Sequence, residues 1–381
     1  MIQRLLQVPQ GRDSVFLWGP RKTGKSYWLR QQALDGWYID LLESDVYLDL
    51  LQSPHKLREQ YLQKTPSPAW VIIDEVQFLP LLLNEVHWLI ENAGARFLLT
   101  GSSARKLRRG QANLLGGRAW RREMKPLCLR EIPLNVARLS EVMQSGLLPP
   151  HYLSLSPREL LRGYVQDYLK EEVAAEATTR KLQSFSTFLK VVGLTSCEIL
   201  NAENVAREVG VSGKVVRGYF EILEDTLLAS RLQPYRKSPT RRMSLSDKFY
   251  LFDVGLSNYL AGLSPQPGNP DFGKSFEHLI WMELTAYQAY RDPELEIRYW
   301  RTSGGLEVDF VLNDREAAIE VKSGKMHASD CRALAAIQQD GPVGRRLGVS
   351  LEKHSRRVQD VEILSLPDFL DWLWNRPPGG Y

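Results

Sequence analysis

Cysteine is scarce in this chain: Cys128, Cys197 and Cys331 are the three among 381 residues. They stand far apart, with neither the spacing of a metal or redox pair nor the even count of a disulfide scaffold, which fits a reducing cytosol better than secretion. Excess charge is scarce too. The balance is +4 from 49 basic and 45 acidic side chains, so composition alone points to no partner. Long hydrophobic runs are missing. The most apolar stretch, Phe78 to Ile90, is broken by Asn84, Glu85 and His87, so no membrane span is expected. The opening Met1-Ile2-Gln3-Arg4-Leu5-Leu6-Gln7-Val8-Pro9 is too short and too soon broken for a secretory leader. Internal repeats and low-complexity tracts are absent from the sequence. What remains is 43% hydrophobic and 25% charged, an ordinary globular composition whose length predicts about two or three domains. A cytoplasmic protein of several domains is the expectation.

The first 135 residues read as strands alternating with helices. Val15-Phe16-Leu17-Trp18, Trp37-Tyr38-Ile39, Trp70-Val71-Ile72-Ile73 and Arg96-Phe97-Leu98-Leu99 are short and apolar on both sides, as strands of a helix-covered parallel sheet must be. From about Leu153 to Ser230 the apolar spacing turns helical, as in Leu160-Leu161-Tyr164-Val165-Tyr168-Leu169. After Ser275 it becomes mixed again. Two Pro-rich patches, Leu147 to His151 and Ser264 to Pro270, suggest seams.

Gly19-Pro20-Arg21-Lys22-Thr23-Gly24-Lys25-Ser26 has the G-x-x-x-x-G-K-[ST] form of a phosphate loop, between the strand ending at Trp18 and the helix beginning near Tyr27. Glycines let the backbone curl so that successive N–H groups face phosphate oxygens, and the following helix adds its positive end. Lys25 is expected on the β- and γ-phosphates and the Ser26 hydroxyl on Mg²⁺. Val71-Ile72-Ile73-Asp74-Glu75 ends an apolar strand in two carboxylates. Asp74 is suited to the Mg²⁺ water shell and Glu75 to polarising the attacking water. The next strand ends in Thr100-Gly101-Ser102-Ser103. Here a hydroxyl, with Ser102 as the candidate, can sense the γ-phosphate, or Ser102 or Ser103 simply caps a helix. A basic stretch follows: Arg105, Lys106, Arg108, Arg109, Arg118, Arg121, Arg122 and Lys125, opposed by Glu123.

The order of phosphate loop, Ile-Ile-Asp-Glu strand, Leu-Thr-Gly-Ser-Ser strand end and Gly-Gly-Arg resembles prokaryotic AAA-type ATPases that carry a nuclease-like C-terminal domain. The resemblance runs from about residue 11 to residue 325. It implies ATP-dependent action in a ring-like homo-oligomer, with a hexamer as the arrangement to consider. Arg118 is then the candidate arginine finger that one subunit inserts against its neighbour's γ-phosphate; a surface salt bridge or a nucleic-acid contact are its other readings.

Glu203 to Ser212 reads as helix, turn and cap, with Gly210 at the turn and Ser212 as N-cap; Lys214 to Leu223 forms the second helix. This is a helix-turn-helix pattern, and Arg231, Arg236, Lys237, Arg241 and Arg242 follow where a wing would lie. The segment can contact DNA, or serve only as a packing module.

Near the C-terminus, Glu307 to Leu312 and Ala317 to Lys322 both alternate around an Asn313-Asp314 turn. Closing that turn pairs Leu312 with Ala317 and so Asp309 with Glu320. Val308, Phe310, Leu312, Ala317, Ile319 and Val321 would share an apolar face, and Glu307, Asp309, Glu320 and Lys322 the other. Opposed carboxylates repel, and a divalent cation between them turns that cost into binding. Lys322 can activate water or stabilise phosphate charge. The Asp…Glu-x-Lys constellation resembles the PD-(D/E)XK nuclease core. By that resemblance Glu277, on the preceding helix, adds a further carboxylate; Val308 stands where such cores often have proline. The plain alternative is a charged, solvated face with Glu307 paired to Lys322.

The fold expectation is α/β: a P-loop AAA-type ATPase domain over 1–135, a helical and winged-helix-like domain over 136–262, and a restriction-endonuclease-like α/β domain over 263–381. The cofactors expected are ATP and Mg²⁺, with Mn²⁺ an option at the nuclease-like site. The expected activity is ATP hydrolysis coupled to metal-dependent cleavage of DNA, branched or structured DNA included. The alternative is an ATP-driven oligomeric switch that binds DNA or a protein partner while its nuclease-like domain stays silent.

Overall fold

The computed structural model describes residues 2–8, 11, 13–32, 35–102, 117–169, 182–235 and 246–378. They form two compact units, one made of Gln3–Pro126 with Asp225–Leu227, the other of Leu127–Glu224 with Leu228–Tyr381. Among the described residues no helix is long and apolar enough to cross a membrane.

The first unit is built on five parallel strands: β1 (Ser14–Trp18), β2 (Gly36–Asp40), β3 (Trp70–Asp74), β4 (Phe97–Gly101) and β5 (Ala119–Glu123), in the order β2-β3-β4-β1-β5. Every residue of β1, β3 and β4 is buried, whereas the edge strands β2 and β5 are partly exposed. That is why the central runs read as continuously apolar. Helices α1 (Lys25–Gln31), α2 (Ser44–Gln52), α3 (Lys56–Gln63) and α4 (Leu82–Ala93) accompany the sheet. In α4 the residues Leu82, Leu83, Val86 and Leu89 make one buried face, and Gly94 ends the helix at φ 61°. They join Phe16, Ile39, Val71, Ile73, Phe97 and Leu99 in one core, each large side chain contributing about 1.5–3 kcal/mol by burial. Because β4 lies between β1 and β3, the loops leaving all three strand ends share one edge of the sheet, where open α/β sheets bind ligands.

The second unit begins with α5 (Leu139–Ser145), α6 (Pro157–Gly163) and α7 (Leu182–Thr195). In α8 (Ala202–Val209) the Asn201 side chain caps the start by accepting from the Asn204 N–H at 3.0 Å, and Gly210, at φ 73°, ends it. After that turn comes α9 (Gly213–Asp225). Three short antiparallel strands flank the helix pair, β6 (Glu198–Ile199) before it and β7 (Ala229–Leu232) and β8 (Lys248–Leu251) after it, ordered β6-β8-β7. Two helices joined at the Gly210 turn are thus followed by an antiparallel strand pair, β7 with β8. Phe185, Phe188, Tyr219, Phe220 and Phe249 pack ring against ring at its centre. The expected wing residues Arg236, Lys237, Arg241 and Arg242 lie outside the described residues. Arg231 is held by both oxygens of Glu224, at 2.6 and 3.0 Å.

The chain continues through α10 (Val254–Ala261) and α11 (Pro270–Tyr290), then β9 (Ile297–Arg301), β10 (Glu307–Leu312), β11 (Ala317–Lys322), α12 (Arg332–Ala336), β12 (Arg345–Ser350), β13 (Arg356–Val358), β14 (Val361–Ser365) and α13 (Leu366–Trp374). The sheet runs β13-β14-β12-β11-β10-β9, parallel from β11 through β12 to β14 and antiparallel elsewhere. The expected seam at Leu147 to His151 is not a linker. Leu147 and Leu148 are fully buried, and the Leu147 N–H donates to Asp253 at 2.7 Å. A backbone bond from Tyr235 to Tyr299, at 2.6 Å, ties the middle segment to β9. Residues expected to form two domains therefore pack as one compact unit.

The hairpin has the expected register, Leu312 opposite Ala317 and Phe310 opposite Ile319. The expected faces are altered. Between Val308 and Val311 the pairing of β10 with β9 shifts, a β-bulge. Val308 and Val311 therefore share a core with Trp300, Ala318 and Ile363, while Phe310 stacks on Trp281 and packs near Tyr250. A bulge bends its strand and re-aims the residues in it, and Asp309 is one of them.

Candidate functional site

At the sheet edge of the first unit, Lys22 (φ 65°) and Gly24 (φ 92°) take left-handed backbone, the second without a Cβ penalty. The Thr23 hydroxyl closes the loop by donating to the Pro20 carbonyl at 2.8 Å. Arg4 braces it from outside, donating to the carbonyls of Thr23 (2.8 Å) and Lys125 (2.7 Å). Lys25 is buried, and its ammonium donates to the carbonyls of Gly19 (2.7 Å) and Pro20 (3.1 Å). Burial pushes its pKa down, and the charges of Glu75 and Asp74 push it back up. The lysine thus rests on neutral acceptors of its own loop.

Asp74, at the end of β3, is buried and accepts hydrogen bonds from two hydroxyls. Tyr38, on β2, donates to one oxygen at 2.6 Å and Thr100, on β4, donates to the other. Thr100 also accepts the Glu75 N–H at 2.9 Å. One hydroxyl therefore fixes both members of the acidic pair. Glu75 itself sits at φ 59°, a conformation that costs a non-glycine residue about 1 kcal/mol and persists where its surroundings over-determine it. Gln77 bridges the Glu75 carboxylate and the Ser102 hydroxyl.

The structure thus brings the loop 19–26, Asp74 and Glu75 to one sheet edge, with Ser102 joined to them through Gln77. Thr100, Tyr38 and Gln77 were not singled out by sequence. The Leu-Thr-Gly strand end carried the signal for Thr100, and nothing in Trp-Tyr-Ile distinguishes Tyr38 from core. Arg118 forms an ion pair with Glu91 of α4, its salt-bridge reading, while Arg105, Lys106, Arg108 and Arg109 lie outside the described residues.

In the second unit the expected carboxylates meet a partner the sequence did not suggest. Lys248, the first residue of β8, is 3% exposed. Its ammonium lies 2.5 Å from Glu307, 3.3 Å from Glu277 and 3.9 Å from Asp309. Burial disfavours this charge, but the Glu277, Asp309 and Glu307 carboxylates outweigh it and hold the pKa above the ordinary lysine value. Two residues on, the Tyr250 hydroxyl donates to the same oxygen of Glu277 at 2.6 Å. Glu307 also receives Arg301 at 3.1 Å. It therefore pairs with Lys248 and Arg301, and not with Lys322 as the plain alternative has it.

Asp309 accepts the Val321 N–H at 2.8 Å. Burial, followed by the charge of Glu277, pushes its carboxyl up; burial, followed by the charge of Asp309, does the same to Glu320. One Glu320 oxygen is buried with no hydrogen-bond partner, and the other is 3.9 Å from the half-exposed Lys322 ammonium. Two mutually repelling carboxylates, one with an orphaned oxygen, have the donor chemistry of a hard divalent cation. Among the described residues, no three His, Cys, Asp or Glu side chains gather as a metal cage. Glu277, expected as a third ligand, is instead bonded to Lys248 and Tyr250. The signal that could have found Lys248 is a lysine heading the apolar run Lys-Phe-Tyr-Leu.

Residues 11–133 match the family model described as an AAA domain. Residues 136–267 and 272–369 match two models described as domains of unknown function, DUF8612 and DUF4143. An uncharacterized protein of Mycobacterium tuberculosis is 26% identical over 329 residues, spanning 84% of this chain and 72% of that protein. One of Haemophilus influenzae is 22% identical over 311 residues, spanning 74% and 77%. Among solved structures, the Aeropyrum pernix ORC1 protein in complex with DNA aligns over 67% of this chain and 87% of that one, at 11% identity and a TM-score of 0.24. Overlap that low bears on neither fold nor function. The family match, the parallel sheet and the phosphate loop together make the first unit a P-loop domain of AAA type.

Proposed function

We propose that the protein binds and hydrolyses ATP at the loop 19–26 and uses the cycle as a switch, in a homo-oligomer. The observation that carries this reading is the Thr100 hydroxyl joining Asp74 to Glu75, which sets both carboxylates at the edge that holds the phosphate loop. Backbone N–H groups of the loop would hold the phosphates, with Lys25 exchanging its carbonyl partners for phosphate oxygens. Ser26 and Asp74 would hold Mg²⁺, which supplies charge neutralisation on the phosphates. Asp74 fits that role, because its partners here are hydroxyls rather than a cation. Glu75 would orient and polarise the attacking water. In the oligomer Arg118 would leave Glu91 to reach a neighbouring γ-phosphate. The test is ATP turnover with Mg²⁺ for wild type, Glu75→Gln and Arg118→Ala. Loss in both variants supports the reading. Full turnover in Glu75→Gln would remove Glu75 from the chemistry, and full turnover in Arg118→Ala would leave Arg118 as a surface ion pair.

A second reading, favoured by the orphaned Glu320 oxygen, adds metal-dependent cleavage of DNA at Asp309 and Glu320. These two carboxylates would hold Mg²⁺ or Mn²⁺, which would supply Lewis acidity and a nucleophilic water. Lys322, half exposed beside Glu320, would meet the phosphate. Duplex, single-stranded and branched DNA incubated with Mn²⁺ test it. Nicking by wild type and not by Asp309→Ala supports cleavage, and no nicking beside normal ATP turnover leaves the switch alone.

A further inference from the structure

Four carboxylates cluster around β10 and β11, yet they are not equivalent. Glu277 and Glu307 are bound to Lys248, with Tyr250 and Arg301 completing their contacts. Asp309 has one backbone donor and a distant lysine, and Glu320 keeps a buried oxygen unpartnered. An ammonium buried at 3% exposure, with three carboxylates within 4 Å, is not a solvated side chain that drifted inward. Its desolvation cost is met only by carboxylates that stay charged.

We propose that Lys248 is the resident cation of this site, and that the cluster therefore takes a single divalent ion, between Asp309 and Glu320. This rests on the metal reading of Asp309 and Glu320 above and goes beyond it. A two-ion arrangement would need Glu277 or Glu307 as further ligands, and both are held by an ammonium that cannot leave the chain. The lysine stands where a second ion would otherwise balance the charge. It is a positioning residue, fixing Glu277 and Glu307 and leaving two carboxylates for metal.

The test counts Mn²⁺ bound to full-length, nucleotide-free protein by electron paramagnetic resonance and calorimetry. The expected result is one ion in wild type that is lost in Asp309→Asn. Glu277→Gln should keep that ion with its Kd changed by less than about threefold, because the residue is a partner of Lys248 and not a ligand. Lys248→Met should bind a second ion, or hold the first at least about tenfold more tightly. Two ions in wild type, or loss of the ion in Glu277→Gln, would overturn the proposal while leaving the metal reading intact. No Mn²⁺ bound by wild type beyond that bound by Asp309→Asn would overturn both. Glu277→Gln decides the matter even if Lys248→Met fails to fold.

Discussion

The two units each bury a lysine, and they do so in opposite ways. Lys25 sits on two carbonyls of its own loop, neutral acceptors that it can exchange for phosphate. Lys248 is surrounded by three carboxylates of other elements and held above its usual pKa by them. A lysine kept on weak partners can be handed to a ligand, and a lysine kept on strong ones is tied to the fold. Burial alone, nearly equal for the two, does not tell them apart.

The sharpest way to break this contrast is to remove both. Lys248→Ala leaves three partly buried carboxylates without their cation and should cost about 3 kcal/mol, read as a lowered midpoint in urea unfolding. Lys25→Ala should barely move that midpoint while cutting ATP turnover at least about a hundredfold, which is about 2.7 kcal/mol. If the two midpoints fall equally, the contrast fails.

Glu283 supplies a control, a carboxylate on α11 met by neutral donors. It accepts the N–H groups of Leu129 (2.6 Å) and Arg130 (3.3 Å) and the Trp374 indole at 2.6 Å. Burial nevertheless pushes its pKa up from 4.5 to about 7. A carboxyl whose folded pKa exceeds its unfolded value contributes stability that is full below the unfolded value. That stability is lost as pH rises through the folded value, at up to about 1.4 kcal/mol per pH unit. Wild type should thus lose stability relative to Glu283→Gln between pH 4.5 and 7. Buried His278, pushed down to about 4, acts in the opposite sense, losing stability as pH falls below 6.5, and cancels in the difference. A flat difference would show that the neutral donors hold Glu283 ionised.

The smallest effect is expected at Thr100→Val, which keeps the shape and removes the hydroxyl between Asp74 and Glu75. About tenfold slower ATP turnover, roughly 1.4 kcal/mol, is expected. Unchanged turnover would make Thr100 a structural bridge only.

The nucleotide edge was legible because its chemistry is contiguous: eight loop residues, then an acidic pair ending an apolar run. The hairpin register was legible for the same reason, since a turn and alternation are local. The bulge at Asp309 was not, because it arises from pairing with β9 and rotates Phe310 off the face that alternation assigns to it. Lys248 was not legible either. Its partners lie 29, 59 and 61 residues further along the chain, and a lysine heading a strand ordinarily reads as a solvated end. Tyr38 was hidden among core aromatics until β2 was placed beside β3. Short-range pattern reports the strands and loops, whereas electrostatic partnership across strands has to be seen.

The place of Lys248 also bears on how this chain can be taken apart. The family models divide it between residues 267 and 272, a natural point at which to truncate or to graft. Such a cut would put the ammonium in one fragment and Glu277, Glu307 and Asp309 in the other. A portable C-terminal piece would have to begin upstream of β8. In modular inheritance or in engineering, the smallest transferable piece here is an electrostatic one, and it crosses the boundary that sequence families draw.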